Sequence, residues 1–328
     1  MSGPEGKDAR HLTTADAAGN GPAGPARPVV LQVLPSLVTG GAERGAVDVA
    51  LALARAGGTP IVASQGGPMV GELERRGVRH VTLPLASKNP LTMWRNVSRL
   101  ARLIAAGGVD IVHARSRAPA WSAWFAARRT GAAFMTTFHA PYNFNPGKPG
   151  GRLKQRYNSV MARGKRVIAI SEFIRAHILQ NYQTDPAAIR VIHRGIDIET
   201  FSPERVGRER LDRLARAWHV PEDRHVVMLP GRLTRWKGQL VLLEALARLG
   251  RDDVYCLLVG SDQGRTGYRR EIEETARRLG LTDAVHIADH CDDMPAAYLL
   301  ADLAILPTTV PESFGRAAVE PQAMGRPV

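Results

Sequence analysis

The sequence predicts an α/β protein made of two Rossmann-like, doubly wound parallel-sheet domains that face a cleft. Three observations predict it. Short β-branched runs alternate in regular order with longer helical patterns, which is how parallel sheets read. The alternation breaks once, at a segment with a Pro, a Gly and a charge run, and then restarts. With 328 residues the chain exceeds the usual ~100 to 200 per domain, so two cores can form.

Residues 1–27, rich in Gly, Ala, Pro and charge, read as a disordered tail without the apolar core of a signal peptide. No run of 18 or more apolar residues follows, so the expectation is a cytoplasmic protein. Strand-like runs at 28–35, 59–65, 79–85, 110–116, 132–139, 166–171 and 189–195, with helical patterns such as 43–57 and 96–108 between them, make a first domain, 28–196. Residues 197–210 read as a linker or hinge. Strand-like runs at 225–232, 254–261, 284–289 and 303–308, with helices at 237–249, 266–279 and 294–301, make a second domain, 211–328. A complete unit of this kind needs further strands and helices after Val328, so this domain is expected to be truncated. Two such units place a cleft between the carboxyl ends of their sheets, where these folds bind ligands.

Charge is unevenly spread. Residues 1–203 carry 26 Lys+Arg against 12 Asp+Glu, or +14, while residues 204–328 carry 18 against 19, or −1. A basic first domain suits a polyanion, and with aromatics at 5% and no aromatic interleaving, an anionic membrane surface is favoured over nucleic acid. Cys256 and Cys291 have no CxxC spacing and read as apolar fillers.

Five stretches carry candidate chemistry. In LPSLVTGGAERG, Gly40 and Gly41 close a strand-to-helix turn and let backbone N–H groups approach an anion, although a tight turn explains them equally well. In HVVMLPGRLTRWKGQ, Arg232 and Lys237 stand between a strand and a helix, two cations suited to a diphosphate, or simply a solvated basic loop. PESFGRAAVE holds Glu312 and Glu320, two carboxylates able to grip hydroxyls at two places on one ligand, with Ser313, Phe314 and Gly315 in the same loop; the bland alternative is an exposed helical Glu. His139 ends a strand before a loop, as His113 and Arg115 end the preceding one, and each is as readily a structural hydrogen-bonder. Finally, GRLKQRYNSVMARGKR sets Leu153, Tyr157, Val160 and Met161 at helical spacing among Arg152, Lys154 and Arg156, a basic amphipathic helix for a bilayer, or a stripe that packs on the sheet.

Together these residues resemble glycosyltransferase family 4, the retaining family of GT-B fold, over about residues 28–328. GRLTRWKG followed about 75 residues later by PESFGRAAVE is the specific part. The resemblance implies that Gly40 and Gly41 line the cleft near the donor phosphates. It implies further that Arg232 and Lys237 hold the diphosphate, Glu312 the sugar hydroxyls and Glu320 the ribose, with His139 near the reacting sugar. Ser171 and Glu172 follow the family's strand-end motif, and Gly195 and Asp197 its segment entering the hinge. Two local departures stand out: Arg194 replaces the usual Asn before the hinge Gly, and Pro321 follows Glu320 inside the helix, where it removes an N–H bond and can shift the carboxylate.

The implied reaction moves a hexose with retention from a UDP-, GDP- or ADP-sugar to a hydroxyl acceptor, with no metal or other cofactor. No Asp-x-Asp pair stands at a strand end; Asp252-Asp253 and Asp292-Asp293 are adjacent pairs. The +14 first domain points to a lipid-linked or lipopolysaccharide-type acceptor at the cytoplasmic membrane face. A hydrolase or epimerase of nucleotide sugars, and a non-catalytic remnant that binds nucleotide or membrane, remain open alternatives.

Overall fold

The computed structural model describes residues 27–38, 40–145 and 147–328. The predicted tail lies outside the described residues except for Arg27. The first domain is a seven-stranded sheet of β1 (Val29–Val33), β2 (Thr59–Ser64), β3 (Arg79–Thr82), β4 (Ile111–Ala114), β5 (Ala133–Phe138), β6 (Arg166–Ala169) and β7 (Ile189–Val191). Its order is β3-β2-β1-β4-β5-β6-β7 with every pairing parallel. The helices of this domain are α1 (Gly41–Arg55), α2 (Val70–Arg75), α3 (Pro90–Ala106), α4 (Arg117–Thr130), α5 (Gly151–Asn158) and α6 (Glu172–Asn181).

The second domain starts at α7 (Arg208–Ala217) and continues through β8 (His225–Pro230), α8 (Gln239–Leu249), β9 (Val254–Val259), α9 (Thr266–Arg278), β10 (Val285–Ala288), α10 (Met294–Leu300), β11 (Leu303–Ala304) and α11 (Arg316–Ala323). Its parallel sheet has the order β10-β9-β8-β11. Both sheets therefore reverse strand order beside their first strand, between β1 and β4 and between β8 and β11. Those are the points at which loops diverge to opposite faces and leave a crevice.

Period-two side-chain alternation explains why helices cover both faces of each sheet. In β2, Ile61 and Ala63 join the core beneath α3, α4 and α6, while Val62 joins the one beneath α1 and α2. In β9, Tyr255, Leu257 and Val259 face α10, whereas Cys256 and Leu258 face α8 and α9. Cys256 and Cys291 are free thiols, as the sequence suggested.

Each predicted strand run contains an observed strand, but most runs overshoot at the carboxyl end, where the chain leaves the ladder to build the cleft. Two readings need correction. The predicted linker is loop and a short 3-10 turn (Pro203–Arg205), but its last three residues already form the first turn of α7, held to the α10 cap by the Arg210 to Asp293 pair at 2.8 Å. The single basic helix over 151–166 is instead α5 followed by a 3-10 turn (Ser159–Ala162) and β6. Val160 and Met161 are fully buried against the sheet, while Leu153 is 72% exposed, so the apolar stripe is divided between core and surface.

Candidate active site

The first-domain wall of the cleft is built at the carboxyl ends of β1, β4, β5 and β7. Gly40 precedes α1, which begins at Gly41. Gly41 and Gly45 lie one turn apart on the same helix face, and guanidinium groups fill the space that side chains would need there. A Cβ on Gly41 would stand 2.8 Å from Arg194 Nη1 and 4.0 Å from Arg316 Cδ; one on Gly45 would stand 3.0 Å from Arg115 Nη2. Arg194 donates from Nη1 to the Gly41 carbonyl and from Nη2 to His139 Nδ1. Arg115 is 5% exposed and donates from Nη1 to Gln32 Oε1 at 3.1 Å. Gln32 is itself anchored to the Ala46 carbonyl at 2.9 Å.

Burial, reinforced by repulsion from Arg194, pushes the Arg115 guanidinium down to about 9. Burial and the nearby Arg316 bring Arg194 down to about 10. His139 is held well below the ordinary histidine value by burial first, then by Arg115, Arg194 and His113. Its ring is therefore neutral. Because a guanidinium only donates, Nδ1 must be the acceptor and Nε2 carries the proton. His139 Nε2 is buried and has no hydrogen-bond partner among the described residues. The neutral ring thus retains one unused N–H donor.

The second-domain wall is built at the ends of β8 and β11. Lys237 forms an ion pair with Glu312, the two side chains being 12% and 26% exposed. Lys237 also lies 4.4 Å from the centroid of the Trp236 ring. Gly238 ends a 3-10 turn (Arg235–Lys237) in the left-handed region at φ 79°, and a Cβ there would overlap the Pro307 carbonyl, so only glycine lets α8 start so close to the β11 loop. Arg232 is exposed and reaches Gln263 at 3.5 Å. Glu320 is 8% exposed, accepting from Tyr298 Oη at 2.9 Å and from Arg316 Nε at 2.9 Å. This excludes the exposed-Glu alternative. Pro321 sits inside α11 without breaking it.

The loop from Glu312 to Arg316 joins the two walls. Glu312 pairs with Lys237, Phe314 packs against the core of the first domain, and Arg316 approaches Gly41. Gly315 provides the left-handed N-cap of α11 that turns the chain between them. The structure thus assembles Gly40, Gly41, His139, Lys237, Glu312, Phe314, Gly315 and Glu320 around one cleft. Arg152, Lys154 and Arg156 stay outside it, exposed on α5. Sequence reasoning treated Arg194 only as a departure, gave Arg115 no stated task and passed over Arg316. The spacing of Gly41 and Gly45 was the one signal that bulky groups lie against α1.

Residues 39–200 match the sequence profile of Glycosyltransferase Family 4, and residues 212–328 that of Glycosyl transferases group 1. The chain belongs to glycosyltransferase family 4. Among solved structures it is similar to a glycosyltransferase from Rickettsia africae, at 39% identity and TM-score 0.82, covering 92% of this chain and 78% of that one. The fold also matches Anabaena HepE in complex with UDP and glucose, at 24% identity and TM-score 0.78 over 92% and 80% of the two chains. Among curated relatives it is 31% identical over 250 residues to the D-inositol 3-phosphate glycosyltransferase of Salinispora tropica, or 71% of this chain and 52% of that protein. The family 4 chain spans about half the length of the first curated relatives it matches. Among the described residues, no group of three or more His, Cys, Asp or Glu could hold a metal ion, and no helix is long and apolar enough to cross a membrane.

Proposed function

We propose that this family 4 chain carries the donor and acceptor sites of a retaining glycosyltransferase, which moves a hexose from a nucleoside diphosphate sugar to a hydroxyl acceptor. The observation that carries the reading is the Glu312–Arg316 loop, which brings the Lys237–Glu312 pair and His139 to one cleft. With donor bound, Lys237 and Arg232 turn to the diphosphate and Glu312 accepts from sugar hydroxyls. Glu320, which Tyr298 and Arg316 hold in place, takes the ribose in this reading.

In the reaction the bond from the anomeric carbon to the phosphate oxygen breaks, and a bond to the acceptor oxygen forms on the same face. The acceptor proton passes to the departing diphosphate. Arg232, Lys237 and helix N–H groups stabilise the negative charge that grows there, the task a metal performs in other transferases. His139, neutral and with a free N–H, donates a hydrogen bond to an oxygen of the reacting sugar without adding a positive charge beside the developing oxocarbenium ion.

The acceptor lies against the first domain. The net charge of +14 over residues 1–203, the exposed Arg152, Lys154 and Arg156 beside Leu153, and a second face with Arg128 and Arg163 stacked on Trp124 at 5.0 and 5.2 Å support a membrane-borne, lipid-linked acceptor at the cytoplasmic face.

The test is thermal stabilisation across UDP-, GDP- and ADP-sugars. One nucleotide sugar is expected to raise Tm, and Lys237→Ala and Glu312→Ala to abolish the shift. A shift that survives both substitutions, or no shift with any donor, defeats the reading.

A further inference from the structure

Arg194 stands on the chain that crosses from the first domain to the second. Two residues before it, the Ile192 N–H bonds the Ala169 carbonyl at 2.9 Å and so continues the β7 ladder. Two residues after it, Ile196 already packs on the core of the second domain. His193 and Gly195, on either side, are exposed, whereas the Arg194 side chain turns inward to the cleft wall. There its Nη1 donates to the Gly41 carbonyl and its Nη2 to His139 Nδ1, so one guanidinium ties the end of β7 to the start of α1 and to the end of β5. A guanidinium only donates, and such a contact survives only while Nδ1 keeps its lone pair. The other ring nitrogen, Nε2, is buried and has no partner among the described residues. Selection of the tautomer therefore rests on Arg194.

We infer that Arg194 is a positioning residue for the transfer: it acts through His139, holding the ring with Nε2–H free for the reacting sugar, and does not itself bind the donor. The assignment to the reaction rests on the transferase reading; the tie between Arg194 and His139 rests on the hydrogen bonds. The surrounding charges fix the sign of its effect. His113 and Arg115 face the ring from β4 and its carboxyl end, and Arg194 from beyond β7, while Arg316 of α11 and Glu43 and Asp48 of α1 act on Arg194 in turn. Removing the Arg194 charge takes away one of the repulsions that oppose a protonated ring, so the His139 midpoint rises. A rate that needs the neutral ring is then lost on acidification at a higher pH than in the parent chain.

The experiment follows the His139 ring nitrogens by NMR in the 328-residue chain and in Arg194→Met, which keeps length and removes both donors. In the parent chain Nδ1 is expected to resonate as a bare acceptor nitrogen. In Arg194→Met it should move toward an average of the two tautomers, with a raised protonation midpoint. Arg194→Lys, which keeps a donor and the charge, should stay close to the parent. Should Arg194→Met fold poorly, Gly41→Ala intrudes on Nη1 from the other side, and the same change at Nδ1 is expected. A kinetic arm uses whichever of UDP-, GDP- or ADP-glucose raises Tm and measures release of nucleoside diphosphate, with water as the acceptor. Arg194→Met should lower kcat by about tenfold or more, leave the donor KM within about threefold, and shift the acid limb of the pH profile upward.

An unchanged Nδ1 signal and midpoint in Arg194→Met refutes the tie. A changed ring with unchanged kcat overturns the assignment to the reaction. A donor KM that rises in step with the loss of kcat makes Arg194 a donor-binding residue and overturns the positioning role. Absence of a Tm shift with every donor removes the transferase reading and the assignment to the reaction with it, while the ring signals still decide whether Arg194 holds His139.

Discussion

His139 shows how much a single contact decides. Accepting from a guanidinium forces its proton onto Nε2, and burial keeps the ring neutral. NMR of the ring nitrogens should therefore report an Nε2–H tautomer that does not titrate between pH 6 and 8, and a protonation midpoint near 6.5 would refute this. The same depression has a consequence for stability. Unfolded histidines titrate near 6.5, whereas His113 and His139 in the folded chain titrate well below it. Below about pH 6.5 the unfolded chain binds more protons, so this stability is fully present above that pH and drains away on acidification, by up to about 1.4 kcal/mol per pH unit for each histidine. Denaturant unfolding at pH 7.5 and 5.5 checks it, and His113→Gln should flatten the slope. Tyr298→Phe leaves Glu320 without one of its two donors and should cost about 1–3 kcal/mol in the same assay. The positions of His139, just after β5, and Lys237, in the turn between β8 and α8, were legible in the sequence because position relative to a strand is a local property. Arg194 was not, because its side chain spans from the end of β7 to the end of β5 and to α1, a reach that exists only after the sheet has formed.

At the scale of elements, Gly238 is the most exacting position. A left-handed φ of 79° and the Pro307 carbonyl both exclude a Cβ. Gly238→Ala should destabilise the second domain by more than about 2 kcal/mol and displace Lys237, so both Tm and nucleotide-sugar affinity should fall. An alanine variant with unchanged unfolding midpoint would contradict the packing described. The strands were readable from their β-branched runs, but their ends were not, because apolar residues continue into the loops that line the cleft. The start of α3 was missed although Asn89 caps it, its Oδ1 accepting from Leu91 at 2.9 Å, with Pro90 at the first helical position. The start of α7 was missed for the opposite reason. Its charge run looks like a solvated linker until Asp293, from a distant helix cap, engages Arg210.

For the whole molecule, the charge asymmetry predicts how the chain meets surfaces. Liposomes containing anionic lipid should retain it at low salt and release it as ionic strength rises, and charge reversal at Arg152, Lys154 and Arg156 should weaken retention. Binding indifferent to both would show that the basic face has another use. The two-domain plan and its cleft were legible because alternation stops and restarts. The contact between the domains was not, since nothing local distinguishes Phe314 from an ordinary loop aromatic.

The loop at 312–316 alternates its loyalties: Glu312 pairs with Lys237 of its own domain, Phe314 packs on the other, and Arg316 holds Glu320 of its own domain while its Cδ lies beside Gly41. Five residues are too short to stretch, so separating the domains must either withdraw Phe314 from its seat or drag Glu312 from Lys237. Opening the cleft is then tied, through this one short loop, either to unseating Phe314 or to parting the Lys237–Glu312 ion pair.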